Sequence, residues 1–428
     1  MSWYLLIPFA FLIIAFLLRI PIGWGMLAGC VAYFLAKGID LRVVMSTSGY
    51  GIYSAYILIA IPLFVFMANI MNTSEVSDKM FNFANALVGR FHGGMGYVNI
   101  ICSLIFAGMT GSALADASGV GKLEIEHMKK EGYDAPFASA LTATTSVIGP
   151  TFPPSIPMVV FAMISGASVG KLFLGGVIPA FIQCIMLGIY VYIISKKRNY
   201  PRGNKVSFKR FLIDTFKALP ALFTPILLLT GIYTGIMTPT EAGAVAAAYT
   251  LLVAVVVYRT LSWKSFMKVL RDTLKTTGSI FIIVAAAYSF SYIISLEQVA
   301  PWLASLVDGF NGNKISFLLM VNVVFLILGC FVDVNVTQLV FVPIFIPLAK
   351  SLGIDMVHLG VVLCLNMMIG LCTPPFGMLL FISSNAGNCA LKDVIKETVP
   401  MLLFMFLGLL LITLVPELVT WLPSMMNS

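Results

Sequence analysis

The residues of this chain that could do chemistry lie inside long apolar runs, beside breaks that no helix can pass through. Ser103, Gly108, Ser112, Ser146, Gly149 and Ser155 cluster around the stretch Gly149-Pro150-Thr151-Phe152-Pro153-Pro154-Ser155. Three prolines in five residues end a helix, because each removes an N–H donor and clashes with the preceding turn. Gly329, Asp333, Gly370 and Thr373 form a second set, beside Gly370-Leu371-Cys372-Thr373-Pro374-Pro375. An unwound helix presents carbonyl and hydroxyl oxygens, which suit a hard cation such as Na⁺, the preference that Ca²⁺ also shows. The half-helix N-termini at such a break favour an anionic group. Asp333 is the sharpest single residue. An ionised carboxylate at membrane depth costs roughly 2.5–3.5 kcal/mol on insertion scales, so a functional role outweighs a tip that merely reaches the interface. Asn335 stands close enough to assist. A lone Ser or Thr in an apolar helix usually bonds its own i−4 carbonyl, so the signal belongs to the constellation.

Other chemistries do not fit. Gly119-Val120-Gly121-Lys122 ends like a phosphate-binding loop, but Asp116 stands where that loop needs Gly and Leu123 where it needs Ser or Thr. His92, His127 and His358 lie in different segments and offer no metal-ligand spacing. The seven cysteines form no CxxC and read as small hydrophobes, and the 23 methionines as packing filler. Asp116, near a cytoplasmic leg, and Arg19, able to snorkel, read as structural.

The elements that must position these residues follow from composition. The chain has 428 residues, 60% hydrophobic and only 10% charged, against about 25% charged in a soluble domain. Apolar runs of about 20 residues recur, each long enough to cross a bilayer as a helix, and helices satisfy their own backbone. The fold is therefore all-α and membrane-embedded. Eight of 26 Lys and Arg lie between Lys196 and Lys217 and five between Arg259 and Lys275, which marks those loops as cytoplasmic and excludes a nucleic-acid role. Their amphipathic stretches (Phe208, Phe211, Leu212, Phe216; Leu261, Phe266, Leu270, Leu274) fit horizontal interfacial helices or plain loop helices. Trp3 to Ala36 is either two short spans or one broken helix, and no signal-peptide cleavage site is evident in it. Between cytoplasmic loops, Tyr97 to Val120 must enter and leave on one side, as a re-entrant hairpin. Ile315 to Leu348 resembles a second hairpin, with Asp333 at its tip.

The sequence repeats itself. Ile148-Gly149-x-x-x-Pro153-Pro154 returns 221 positions later as Ile369-Gly370-x-x-x-Pro374-Pro375, and the same offset carries Gly108 onto Gly329. It also carries Ile52 to Met71 onto the run near Phe281 to Ile293. Charge topology opens the first hairpin from the cytoplasm and the second from outside, so the halves are expected to be inverted copies. Inverted repeats with paired interrupted helices are the pattern of secondary transporters.

These residues carry a resemblance. Gly111-Ser112-Ala113-x-Ala115-Asp116, Gly149-Pro150-x-x-Pro153-Pro154-Ser155, Thr238-Pro239-Thr240-Glu241-Ala242-Gly243-Ala244 and Gly370 to Pro375 resemble the large membrane subunit of tripartite ATP-independent periplasmic (TRAP) transporters, along essentially the whole chain. The resemblance implies an all-α integral membrane protein of the bacterial inner membrane, with an inverted-repeat, elevator-type fold of two re-entrant hairpins and two broken helices. Scaffold helices would occupy 1–71, the first half of the transport domain 72–170, scaffold and connecting arm helices 171–296, the second half of the transport domain 297–397, and a C-terminal helix 398–428. It implies Na⁺-coupled uptake of an organic acid, C4-dicarboxylate or more readily sialic acid, delivered by a soluble periplasmic binding protein. A small four-helix membrane subunit would complete the assembly. Two Na⁺ sites would lie on the first hairpin (Ser103, Gly108) with Ser146, Gly149 and Pro150, and on the second (Gly329) with Gly370, Thr373 and Phe376. The substrate carboxylate would lie among Ser112, Ser155, Asp333 and Asn335. A stand-alone ion-coupled carrier is the nearest rival. An enzyme would need a nucleophile–base pair or metal ligands at depth, which are not apparent, and a continuous channel fits two broken repeats poorly.

Overall fold

A computed structural model of the chain describes residues 3–18, 20–74, 76–203, 206–299 and 313–426. Arg19 and Asp308 fall outside them. Among the described residues the structure is helical, and the one β pairing is an isolated bridge between His92 and Arg202. Eight helices among the described residues are long and apolar enough to cross a membrane.

The N-terminal stretch resolves into two helices, α1 (Leu6–Leu17) and α2 (Ile22–Ala36), parted at Pro21. They pack so closely that a Cβ at Gly25 would stand 2.3 Å from the Cβ of Ala15 and one at Gly29 3.0 Å from Pro8. Next come α3 (Arg42–Ser54), α4 (Ala60–Thr73) and α5 (Val76–Val88). The run from Ile52 to Met71 is thus not one helix, since the chain turns at Ala55.

The first hairpin is α6 (Gly94–Thr110), a tip at Gly111–Ser112, and a return through α7 (Ala113–Ser118) and α8 (Val120–Lys130). The broken helix follows as α9 (Ala135–Thr145), an irregular stretch to Ser155, and α10 (Ile156–Ser165). Then come α11 (Val169–Lys197), α12 (Phe208–Tyr233), α13 (Pro239–Leu252) and α14 (Trp263–Leu296). The two basic amphipathic stretches are not separate horizontal helices. They are the first turns of α12 and α14, whose 26 and 34 residues exceed the roughly 20 that a bilayer needs.

The second half repeats the order: α15 (Lys314–Phe331), a tip at Val332–Asp333, α16 (Val334–Ser351), then α17 (Met356–Gly370), a break and α18 (Met378–Gly387). The chain ends with α19 (Leu391–Leu414) and α20 (Glu417–Ser424). The 221-residue offset carries the start of α9 onto the start of α17, and Ser112 onto Asp333. It also pairs the turn between α3 and α4 with the unbroken middle of α14, so the same unit is bent in one half and straight in the other.

Among the hydrogen bonds that tie the halves together, two are related by the repeat. Lys129 Nζ donates to the Gly387 carbonyl at 3.1 Å, and Lys350 Nζ to the Ser165 carbonyl at 3.3 Å. The offset carries Lys129 onto Lys350 and the end of α10 onto the end of α18. Each hairpin's return leg thus places a cation on the C-terminal carbonyls of the other half's broken helix, where the helix dipole favours it.

Candidate functional site

Both hairpin tips and both helix breaks meet at one cavity of about 830 Å³. Gly111, Ser112, Asp333 and Asn335 line it from the tips, and Pro150, Leu371 and Phe376 from the breaks. The opposite wall comes from Leu17, Ile20, Pro21 and Ile22 at the α1–α2 turn and from Thr276, Ser279, Ile280 and Ile283 on α14.

Local sequence sets each tip. Gly111 has φ +58°, and a Cβ there would fall 2.5 Å from the Pro154 carbonyl, so this tip presses on the first break through a glycine. Ser112 caps α7 by accepting from the Ala115 N–H, and its repeat partner Asp333 caps α16 through Oδ1, accepting from the Asn335 N–H at 2.9 Å. Ser155 caps α10 in the same way, accepting from the Met158 N–H, but it is fully buried and stands behind the cavity wall rather than on it. The cap explains why the chain accepts Asp333, since a carboxylate at a helix N-terminus meets the positive end of the dipole. Asn335 Oδ1 is buried without a hydrogen-bond partner. Such an acceptor is costly unless something fills it.

The first-half cation candidates divide. Ser146 back-bonds to the Thr142 carbonyl, the bland behaviour of a helical Ser, whereas Ser103 Oγ is buried and unpartnered. Both side chains lie near Asp116. Asp116 is 2% exposed, and neither carboxylate oxygen has a hydrogen-bond partner. Its position near the cytoplasmic leg reads as structural, and the fold buries it behind the first hairpin tip. Glu124, which sequence reasoning passed over, is equally buried on α8 with Oε1 unpartnered. The signal in the sequence was a second carboxylate eight positions along the same hairpin leg. Gly108 packs against Pro225 and Phe152, and Gly149 lies near the Ser112–Ala113 backbone.

In the second half, Gly329 and Gly370 bring two backbones together, a Cβ on Gly370 falling 2.8 Å from Gly329 Cα. Thr373 back-bonds to the Ile369 carbonyl at 2.8 Å. Phe376 lines the cavity and packs on Phe16, with ring centroids 6.3 Å apart. The Gly377 N–H donates to the Cys330 carbonyl at 3.3 Å, so this break is stitched to its own hairpin. The Pro153–Pro154 and Pro374–Pro375 bonds are both cis.

Buried amides hold each hairpin to its broken helix. Asn99 donates to Thr142 Oγ1 at 2.7 Å and accepts from Thr145 Oγ1 at 2.6 Å. The position equivalent to Thr145 is Asn366, which donates to Asn322 Oδ1 at 2.8 Å.

Residues 9–418 match the family described as "Tripartite ATP-independent periplasmic transporter, DctM component". The chain belongs to this family. It is 37% identical over 408 residues to the sialic acid TRAP transporter large permease protein SiaM of Vibrio cholerae, covering 95% of each chain. It is also 37% identical over 369 residues to the C4-dicarboxylate TRAP transporter large permease protein DctM of Pseudomonas aeruginosa, covering 86% of each. Against the sialic acid permease SiaT of Haemophilus influenzae the identity is again 37%, and this chain spans 67% of that longer protein. A crystal structure of the Alcanivorax borkumensis YdaH transporter shares the fold, with TM-score 0.61 at 12% identity over 87% of this chain and 88% of that one. The chain is thus a multi-pass TRAP large permease subunit and not an enzyme.

Proposed function

We propose that this DctM-family permease imports a carboxylated solute, sialic acid ahead of a C4-dicarboxylate, by Na⁺-coupled alternating access. A soluble periplasmic protein would deliver the solute, and a small membrane subunit would complete the transporter. The observation that carries this reading is the convergence of both capped tips and both breaks on one cavity. No Lys or Arg lines that cavity among the described residues, so the helix N-terminus at Ile156–Pro157 and the Ser112 tip are left to receive a carboxylate. Asp333 would then meet the hydroxyl or amide groups of the solute, because two unpaired carboxylates side by side repel. The preference for sialic acid rests on the relatives that share most of this chain's length.

The first cation would sit among Ser103, Ser146 and Asp116, an oxygen set suited to a hard ion. The second would use backbone carbonyls near Gly329, Gly370, Thr373 and Phe376. Cations holding the tips against the breaks would raise solute affinity, and the solute would raise cation affinity equally. Movement would be an elevator step, in which the two hairpin–break units, joined by Lys129 and Lys350, slide together past α1, α2 and α14.

The test replaces Asp333 by Ser, which keeps a helix cap as Ser112 does. Proteoliposomes with both partner proteins should lose solute uptake while the variant keeps the wild-type elution profile and partner assembly. Wild-type uptake by Asp333→Ser would remove the carboxylate from the mechanism. A stand-alone carrier is separated by omitting the binding protein, whereupon uptake of free solute should vanish.

A further inference from the structure

We infer that a second pocket, away from the solute cavity, binds the phosphate headgroup of an anionic phospholipid in the cytoplasmic leaflet. This pocket, of about 750 Å³, lies where the turn between α5 and α6 meets the segment leaving α11. Arg90, His92, Lys196 and Arg202 line it with Tyr97 and Tyr192, and among the described residues no Asp or Glu joins them.

The pocket is a built feature rather than a chance gathering of long side chains. The Gly93 N–H donates to the Pro201 carbonyl at 3.3 Å, and His92 and Arg202 form a backbone bridge. His92 Nε2 lies 3.2 Å from the Ser195 carbonyl, which anchors the ring to the end of α11. Glycines allow this closeness. A Cβ at Gly203 would fall 2.3 Å from the Gly89 carbonyl, and one at Gly93 2.0 Å from Ser195 Oγ. Two chain segments separated by about a hundred residues are thereby locked, and each brings basic side chains to one concavity.

The charges are available. Arg198, which also belongs to the α11 exit, is already bound bidentately to Glu397 at 2.8 and 2.9 Å. The pocket's own cations have no acid among the lining residues. Lys196 donates to the Tyr192 hydroxyl and lies over its ring, and Arg90 lies over Phe91. A tyrosine hydroxyl and cations within one hollow match phosphate oxygens, which accept several hydrogen bonds at once.

The surroundings select a lipid over a soluble phosphate. Ile185, Ile189 and Tyr192 are exposed and lead to Lys196 along one face of α11, with Ile193 beside them. An acyl chain laid on that stripe would place its headgroup in the pocket. Charge topology puts this end of α11 on the cytoplasmic side, where anionic lipids attract basic clusters and where basic pockets between membrane helices hold lipid headgroups.

The test uses the full chain in nanodiscs of phosphatidylcholine containing a minority of phosphatidylglycerol, with native mass spectrometry reading the lipids retained. Wild-type protein should retain phosphatidylglycerol well above its share in the disc. The double variant Arg90→Gln/Arg202→Gln should lose about fivefold in retention for each cation removed. Arg210→Gln/Lys264→Gln, on the same basic face outside the pocket, should retain it like wild type. Equal retention by the pocket variant and wild type would overturn the assignment. So would wild-type protein showing no preference over phosphatidylcholine, a measurement that needs no variant. Displacement of the bound lipid by excess inorganic phosphate would reassign the pocket to a soluble anion and sink the lipid proposal.

Discussion

Gly370→Ala tests whether the second tip must seat against its break. The added Cβ would stand 2.8 Å from both Cα and the carbonyl carbon of Gly329 and 3.2 Å from the Cys330 nitrogen. All three are backbone atoms of the hairpin, so no side chain can rotate away, and α15 or α17 must move. Overpacking of this kind costs typically about 1–3 kcal/mol. If the seated arrangement alone binds cation and solute, that energy lowers its population, and the apparent dissociation constants rise by about 5- to 150-fold. Gly149, the equivalent residue in the first half, gives the internal comparison. A Cβ there meets only the Ser146 carbonyl at 3.1 Å, with its next neighbours at 4.0 Å. Gly149→Ala should therefore be several times milder. Gly278, with nothing within 4 Å, should tolerate Ala with no loss beyond ordinary scatter. The assay is solute uptake against Na⁺ concentration in proteoliposomes, with the midpoint of thermal unfolding recorded for each variant. Wild-type Na⁺ dependence in Gly370→Ala, or a larger effect at Gly149 than at Gly370, would refute a seated second tip as the coupling element.

The remaining expectations need similar assays. Asp116→Asn should abolish the Na⁺ dependence of uptake, because the substitution keeps size and burial while removing the charge a cation would answer; unchanged Na⁺ dependence would return Asp116 to a structural role. Lys129→Gln and Lys350→Gln should each destabilise by about 1–3 kcal/mol, since each removes a charged donor from helix-end carbonyls, and unfolding midpoints should fall by similar amounts in both. Thr238→Ala should cost about 1 kcal/mol in the same measurement, because Thr238 and Glu241 form a complete capping box at the start of α13.

The sequence was most legible where a residue type is forced by backbone geometry. Proline runs at 150–154 and 374–375 had to break helices, and the breaks are where they should be. Glycines 329 and 370, which the repeat singles out, are where one backbone approaches another. These residues delivered the hairpin–break order of both halves and five walls of the cavity: Ser112, Pro150, Asp333, Asn335 and Phe376. Legibility failed where a polar side chain has two competing partners. Ser146 and Thr373 satisfy themselves on carbonyls one turn back, and Ser155 is consumed as a cap, whereas Ser103 is left over. Nothing in the types of these residues separates them, because the outcome depends on whether a neighbouring helix closes over the hydroxyl. Asp116 failed for a related reason. Its place near a cytoplasmic leg reads as structural and says nothing about burial, yet α8 turns back over the carboxylate and carries Glu124 in with it. Burial of an acid is a property of the returning chain, and it becomes readable only when the hairpin's second leg is seen to be two helices, α7 and α8, jointed at Gly119.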